Sequence, residues 1–244
     1  SLSEGKTKQI YAHPTDEALA YMLNKDQITA GDGERRNELL GKSRWSTITM
    51  ANIYRLLNSQ GIATHLLEQI DDVTVLVKRC DMLPVEQVQR RIATGSYLKR
   101  TPGAQEGYRF EPVLVETFLK DDANHDPQIW EEDIIERGLA TKEEIAWMAA
   151  EGRRVFDVLE RAWASVDVTL VDLKIEFGRD TSGNLVVADV IDNDSWRIWP
   201  GGDKNRMLDK QVYRNLQEVT EQDLQALGDR YALVADLTGK LKLG

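Results

Sequence analysis

At 244 residues the chain is long enough for one large domain or two lobes with a sizeable core. Its 41 acidic against 31 basic residues leave a formal charge of −10, which argues against a nucleic-acid or anionic-membrane partner, because neutralising phosphates takes a basic face. A single cysteine, Cys80, excludes an intramolecular disulfide, no apolar run approaches the roughly 18 residues of a membrane span, and the N-terminus shows no secretory pattern, so a cytoplasmic location is expected.

Glu4-Gly-Lys-Thr-Lys-Gln-Ile-Tyr11 puts a glycine and two lysines at the mouth of a strand. Gly5 lets backbone approach a phosphate, and Lys6 and Lys8 supply point charges, although the spacing fits neither a P-loop nor GxGxxG and a basic edge strand reads the same way. Asp26 to Gly33 reads as a polar, glycine-bearing turn. Apolar residues at helical spacing predict a helix over 43–60, ended by Gly61. Strands follow at 62–67 and 73–80, joined at Asp71-Asp72. Pro84 cannot continue a central ladder, so Cys80-Asp-Met-Leu-Pro84 is expected to be the linker, dividing the chain into lobes at 1–82 and 83–244.

Beyond it, 85–91 reads as a strand and Ala93-Thr-Gly-Ser96 as a turn. Arg90 with Ser96 offers a planar donor fork and a hydroxyl suited to a phosphate or carboxylate, the alternative being an ordinary ion pair. Lys120-Asp-Asp-Ala-Asn-His-Asp126 is a polar loop in which His125 lacks a second histidine at zinc-ligand spacing. Thr141-Lys-Glu-Glu144 forms a capping box, and Ile145, Met148, Gly152, Val155, Leu159 and Trp163 continue at three- and four-residue spacing, which predicts a scaffold helix. Thr220 starts another.

The stretch from Thr169 to Pro200 carries the densest chemistry. Residues 169–177 alternate as a half-buried strand, 180–184 turn, and 185–191 form a second strand, a hairpin. Asp172, Lys174 and Glu176 share one face of the first strand. Asp189 ends the second, and Asp192, Asp194 and Arg197 follow. Carboxylates on adjacent strands repel at about 5 Å unless a cation lies between them, and oxygen ligands of this kind suit Mg²⁺ held together with nucleotide phosphates. A solvated charged face is the plainer alternative. The element pattern as a whole reads as α+β in two lobes.

Leu170-Val-Asp-Leu-Lys-Ile-Glu-Phe-Gly178 resembles the signature of the SAICAR synthetase (phosphoribosylaminoimidazole-succinocarboxamide synthase) family. So do Pro84-Val-Glu86 with Arg90 to Ser96, Glu4 to Lys8, Thr29-Ala-Gly-Asp-Gly33, Lys120 to Asp126 and Asp189 to Arg197, in the same order over essentially the whole chain. The wording of Asp192 to Pro200 is nearer the form fused to a carboxylase in animals. One departure is Gln89, where the signature favours a small or apolar residue. The resemblance implies an antiparallel-sheet, kinase-like N-terminal lobe and a larger ATP-grasp-like C-terminal lobe with ATP in the cleft. It implies a ligase of purine biosynthesis that joins L-aspartate to 5-amino-4-carboxyimidazole ribotide, giving SAICAR, ADP and phosphate through an acyl phosphate. It assigns ATP to Gly5, Lys6, Lys8, Arg79, Met82, Lys120, Glu176 and Asp189, with Glu176 and Asp189 as the Mg²⁺ ligands. Lys174 would stand by the reacting groups with Asp172 and Asp194, while Arg90, Ser96, Asp126, Arg197 and Asp32 would bind substrate. Homo-oligomerisation is left open. A small-molecule kinase of the inositol-phosphate type would share the lobes and an Asp-x-Lys strand but not the Arg90 to Ser96 turn; a non-catalytic nucleotide-binding module would not be expected to keep both metal carboxylates.

Overall fold

The structure, a computed structural model, describes residues 1–244. The chain begins with five short strands, β1 (Ser3–Glu4), β2 (Lys8–Ala12), β3 (Leu19–Asn24), β4 (Gln27–Ala30) and β5 (Arg35–Glu38), followed by helix α1 (Lys42–Ser59), β6 (Leu66–Gln69) and β7 (Thr74–Lys78). All of these strands except β4 and β5 join one antiparallel sheet in the order β1-β2-β3-β7-β6. Period-two alternation turns Ala20, Met22, Val75 and Val77 inward, where they share a core with Met50, Ile53, Tyr54 and Leu57 of α1. Gly61, at φ +76°, lies just past the end of that helix, as its spacing predicts.

The second sheet draws on β8 (Cys80–Ile92), then, after α2 (Ser96–Arg100), on β9 (Arg109–Leu119). Helices α3 (Glu131–Glu136) and α4 (Lys142–Ala164) lead to β10 (Val168–Asp180), β11 (Leu185–Ala188) and β12 (Trp196–Pro200), and α5 (Gln211–Arg214) and α6 (Glu221–Thr238) close the chain. Its order is β11-β10-β8-β9, with β12 also paired to β10. The capping box at Thr141 and Glu144 is present, and Met148, Val155, Leu159 and Trp163 of α4 are buried as their spacing predicts.

Five expectations give way. Residues 27–30, expected in a turn, form β4, and the strand expected over 62–67 runs instead over Leu66–Gln69. Cys80 to Pro84 is strand rather than linker: Cys80, Asp81 and Met82 pair with Asp180, Arg179 and Gly178, so the second sheet begins before the expected boundary at residue 82. Pro84 is tolerated because the register shifts there, Leu83, Pro84 and Val85 standing opposite Phe177 alone. The strand expected to be half-buried, β10, is buried on both faces, since its charged face looks into the cleft and pairs with other side chains there. The strand expected over 185–191 ends at Ala188.

A cluster of 34 buried apolar residues runs through both sheets, α1 and α4. A smaller one, Ile28, Leu39, Tyr213, Leu227 and Tyr231, fixes the β4–β5 hairpin to α5 and α6. No helix is long and apolar enough to cross a membrane.

Candidate active site

Where the sheets meet, Lys78 to Met82 forms one wall of a cavity of about 560 Å³. Ile10, Ala20, Met22 and Val77 supply its apolar side, and Gly5, Lys8, Arg79, Met82, Lys120 and Asp189, all singled out in the sequence, line it as well. β9 joins β8 only from Val85, so the outer edge of Cys80 to Met82 keeps backbone groups free toward this space. The space is nucleotide-sized, apolar at one end and charged at the other. Burial pushes the Cys80 thiol up to about 11, so this wall carries a neutral thiol.

The charged end is built by strand register. β10 places Glu176 directly opposite Glu86 of β8, and β11 brings Asp189 one residue past its partner Ala188. Asp189 itself turns into the left-handed region at φ +57°. Lysines separate these acids: Lys174 Nζ lies 3.0 Å from Glu176 Oε2 and 3.8 Å from Glu86 Oε2, Lys120 Nζ 2.5 Å from Glu176 Oε1, and Lys8 Nζ 3.1 Å from Asp189 Oδ1. The Pro84 bulge takes part, because its carbonyl accepts the Lys120 N–H at 2.9 Å and fixes where that lysine leaves the backbone. Glu176 is 3% exposed, and despite the approach of Lys120 its Oε1 accepts no hydrogen bond of proper geometry.

Burial, then the neighbouring Asp189, pushes the Glu176 carboxyl up. Burial also works upward on Asp189, but Lys8, a hydrogen bond from Glu176, Lys174 and Lys120 together hold it well below the carboxylate range. The two neighbouring carboxyls thus oppose each other's ionisation, a repulsion that a cation between them would relieve. Lys174 is raised although burial works against it, by Glu176, Asp189 and Glu86.

The other site residues form a second constellation further along β10. Asp172 pairs with Arg90 on β8 and with Arg197 on β12; its Oδ2 is 2.7 Å from Arg197 Nη1 and 3.3 Å from Arg90 Nη1. Arg90, expected to hold substrate with its fork, is 3% exposed and already spends Nε on Glu116 at 2.6 Å, reaching Ser96 Oγ with Nη2 only at 3.4 Å. Each nitrogen of its guanidinium thus has a partner within the protein. Arg197 is the more accessible of the two and lines a separate cavity of about 260 Å³ with Gly95, Lys99 and Lys204. Gly95, at φ +63°, is required there: a Cβ would lie 2.3 Å from Arg197 Nη2.

Asp194 belongs to a third group that includes residues the sequence did not single out. Its Oδ2 is 3.0 Å from Lys42 Nζ and 4.0 Å from Lys210 Nζ, and the Tyr231 hydroxyl donates to Oδ1 at 2.5 Å. Burial opposes, but Lys42, Lys210 and Tyr231 hold Asp194 below the usual carboxylate range. Burial lowers Lys210 to about 8 in spite of Asp194, and Arg214 is lowered by burial and by Arg197. Four cations, Lys42, Arg197, Lys210 and Arg214, thus meet Asp172, Asp192, Asp194 and Asp209 at this end of the cleft. Lys42 gave no signal, since the helix was expected from residue 43 and its burial shows only in the structure. Lys210 and Arg214 gave none, standing in an unremarkable polar stretch.

Lys6, Asp32 and Asp126 are not brought to the cavity. Lys6 Nζ bonds the Asp32 carbonyl at 3.0 Å and pairs with Asp122 at 3.4 Å, and His125 Nδ1 meets Asp32 Oδ2 at 2.6 Å. Asp126 accepts the Asp121 N–H at 2.7 Å and shapes its own loop. These contacts join the turn after β4 to the 120–126 loop near the mouth of the cleft.

Residues 1–229 match the SAICAR synthetase family. A phosphoribosylaminoimidazole-succinocarboxamide synthase of Herpetosiphon aurantiacus is 60% identical over 97% of this chain and 96% of its own. The bifunctional carboxylase/succinocarboxamide synthetase of Drosophila melanogaster is 48% identical over 96% of this chain and 56% of its own length, so bacterial relatives stand nearer than the animal form that the 192–200 wording favoured. A solved SAICAR synthetase in complex with ADP superposes with a TM-score of 0.84 at 32% identity, covering 94% of this chain and 96% of that one. The two-lobed α+β architecture expected from the sequence is that of these neighbours.

Proposed function

Because the chain belongs to the SAICAR synthetase family, we propose that its cleft joins L-aspartate to 5-amino-4-carboxyimidazole ribotide at the expense of ATP. The observation that carries the reading is the pair Glu176 and Asp189, ringed by Lys8, Lys120 and Lys174 at the inner end of a nucleotide-sized cavity.

A carboxylate does not react with an amine at neutral pH, because oxide is too poor a leaving group. The ribotide carboxylate oxygen attacks the γ-phosphorus, ADP leaves, and the resulting acyl phosphate is attacked at carbon by the aspartate amine, releasing phosphate and forming the amide. Such a sequence asks the protein for position and charge neutralisation more than for a nucleophile. Adenine fits the apolar side of the cavity against Met82 and the free edge of Cys80 to Met82, and Lys8 and Lys120 face the phosphates. Lys174, raised above the ordinary lysine range, keeps its proton and acts as a fixed charge rather than as a base. Lys42, Lys210, Arg197 and Arg214 supply the cations that the ribotide phosphate and the aspartate carboxylates need, with Asp172 and Asp194 orienting them. Arg90 and Ser96 support Asp172 from beneath. Asp32, Asp126 and Lys6 join the loops at the mouth, and the lobes divide at Arg79.

The donor set fits Mg²⁺. It is oxygen-only, it has a buried carboxylate oxygen without a proper hydrogen bond, and its two carboxyls repel unless a proton or cation lies between them. Glu176 and Asp189 would hold the ion, which when bound neutralises charge on the phosphate oxygens. A cytoplasmic setting with small-molecule partners and no nucleic acid accords with the chain's acidity.

Steady release of ADP should require both the ribotide and aspartate. Turnover with a hydroxyl acceptor, or with the ribotide alone at the full rate, would replace this reading by a kinase.

A further inference from the structure

Asp189 reaches the metal position from a turn that the second sheet does not hold by itself. Its φ of +57° is uncommon for a residue with a side chain, and such a conformation persists only where the surroundings fix it. Two side chains of the N-terminal lobe do so. The Tyr54 hydroxyl on α1 shares its proton between the carbonyls of Ala188, at 2.9 Å, and Asp189, at 3.1 Å. His65 Nε2 lies 2.7 Å from the same Asp189 carbonyl. A carbonyl only accepts, so Nε2 carries the hydrogen and donates it. The two rings meet edge to face with centroids 5.6 Å apart, and both side chains are buried. The backbone repeats the link: His65 N–H donates to the Val187 carbonyl at 2.9 Å, and Val187 N–H to the Ala63 carbonyl at 3.0 Å.

The geometry points to His65 and Tyr54 as positioning residues for the metal: by donating to the carbonyls of Ala188 and Asp189 they set the turn that aims the Asp189 carboxylate at Glu176. Tyr54 does not line the nucleotide cavity, whereas His65 does, so Tyr54 isolates the effect on the metal turn. Their effect falls on metal affinity, because partners that orient a ligand typically govern it by 10- to 100-fold. The arrangement also makes the metal ligand of one lobe answer to the position of the other. A shift of α1 or of residues 63–65 would turn Asp189 away.

The inference rests on Asp189 being a metal ligand, so the test includes a control for that premise. Binding of Mn²⁺ to the full-length protein–ADP complex, read from the loss of the free-ion electron paramagnetic resonance signal, is compared for the wild type, Asp189→Asn, His65→Leu, His65→Gln and Tyr54→Phe. ADP affinity without metal is measured in parallel. Asp189→Asn should abolish the tight Mn²⁺ site. His65→Leu should weaken it about tenfold. His65→Gln, which keeps a donor, should restore most of the affinity, and metal-free ADP affinity should not change in Tyr54→Phe. If Asp189→Asn binds Mn²⁺ normally, the metal assignment itself fails. If Asp189→Asn loses the ion while His65→Leu and Tyr54→Phe both keep it within twofold, the positioning role alone is overturned. An equal loss of metal-free ADP affinity in Tyr54→Phe would also overturn it, since the loss would then belong to the cavity and not to the metal turn. Should His65→Leu not fold, Tyr54→Phe decides, as it removes one hydroxyl and leaves the ring in place.

Discussion

Arg90 and Arg197 approach the same oxygen of Asp172, yet they differ in what else they hold. Arg90 is fully committed to Glu116, Asp172 and Ser96, whereas Arg197 is open to a cavity and bears on Gln211 at 3.3 Å. Arg90→Lys cannot span Glu116, Asp172 and Ser96 at once, so it should lower the melting temperature, though Arg100 and Arg197 still pair the two acids. Arg197→Lys should instead raise the KM for the ribotide well above that for ATP, since lysine cannot copy the fork. Melting temperature and the two KM values separate them, and a selective rise in ribotide KM for Arg90→Lys with unchanged melting would reverse the assignment. The sequence offered both residues as substrate binders, but spacing cannot reveal that one fork already has partners on all its nitrogens. Lys210 carries a second prediction. With its folded pKa lowered from 10.5 to about 8, it is cationic below pH 8 and neutral above. The kcat/KM for the ribotide should therefore fall as pH rises through about 8, and Lys210→Arg should remove that limb. Stability runs the other way, because between about 8 and 10.5 the unfolded chain binds more protons than the folded one, so stability should rise over that window. A flat kcat/KM profile across pH 7–9.5 would exclude Lys210 from anion binding.

At the level of elements, α4 was legible to the residue, since its capping box and apolar spacing are local signals that tertiary structure had no reason to override. β8 was not. Pro84 was read as a break because the compensating bulge depends on Phe177, nearly a hundred positions away in sequence, which nothing local announces. Gln89, the departure from the family signature, is explained by packing: it is 0% exposed and donates from Nε2 to Gln87 Oε1 at 2.7 Å, while Gln87 Nε2 donates to the Met148 carbonyl at 3.0 Å. The two amides lie under α4 where Gly152 leaves room. A Cβ at 152 would stand 1.8 Å from Gln87 Oε1 and 2.7 Å from Gln89 Nε2. Gly152→Ala gains helix propensity of about 1 kcal/mol, but it must displace a hydrogen-bonded buried amide, which costs about 1–3 kcal/mol together with overpacking of similar size. The expected result is net loss of stability, relieved in a double variant with Gln87→Ala. Denaturation midpoints for the two singles and the double would give the coupling, and additive effects would mean that Gly152 is not there to admit the glutamines.

For the whole molecule, composition and pattern gave two lobes, but not how tightly they are joined. The buried cluster that includes Ala20 and Val77 of the first sheet also includes Leu173, Ile175 and Phe177 of the second, and Lys78 runs into Cys80 with one residue between the sheets. Tyr54 and His65 add polar ties from one lobe to the other at the metal turn. Lobes that share a core cannot unfold separately without exposing it, so the chain should melt in one transition, with calorimetric and van't Hoff enthalpies in agreement. A ligand held between the lobes should then stabilise all of it. At a hundredfold excess over Kd, ADP with Mg²⁺ is worth about 2.7 kcal/mol. For a chain of this size about 1 kcal/mol moves Tm by roughly 2–4 °C, which places the shift between roughly 5 and 11 °C. Fluorescence of the tryptophans, all of which lie in or near the second lobe except Trp45 on α1, should report the same midpoint as backbone circular dichroism, with and without nucleotide. Two transitions, only one of them moved by nucleotide, would mean that the common core is a contact between independently stable lobes, and the transfer of a shift in α1 to Asp189 would then lose its mechanical basis.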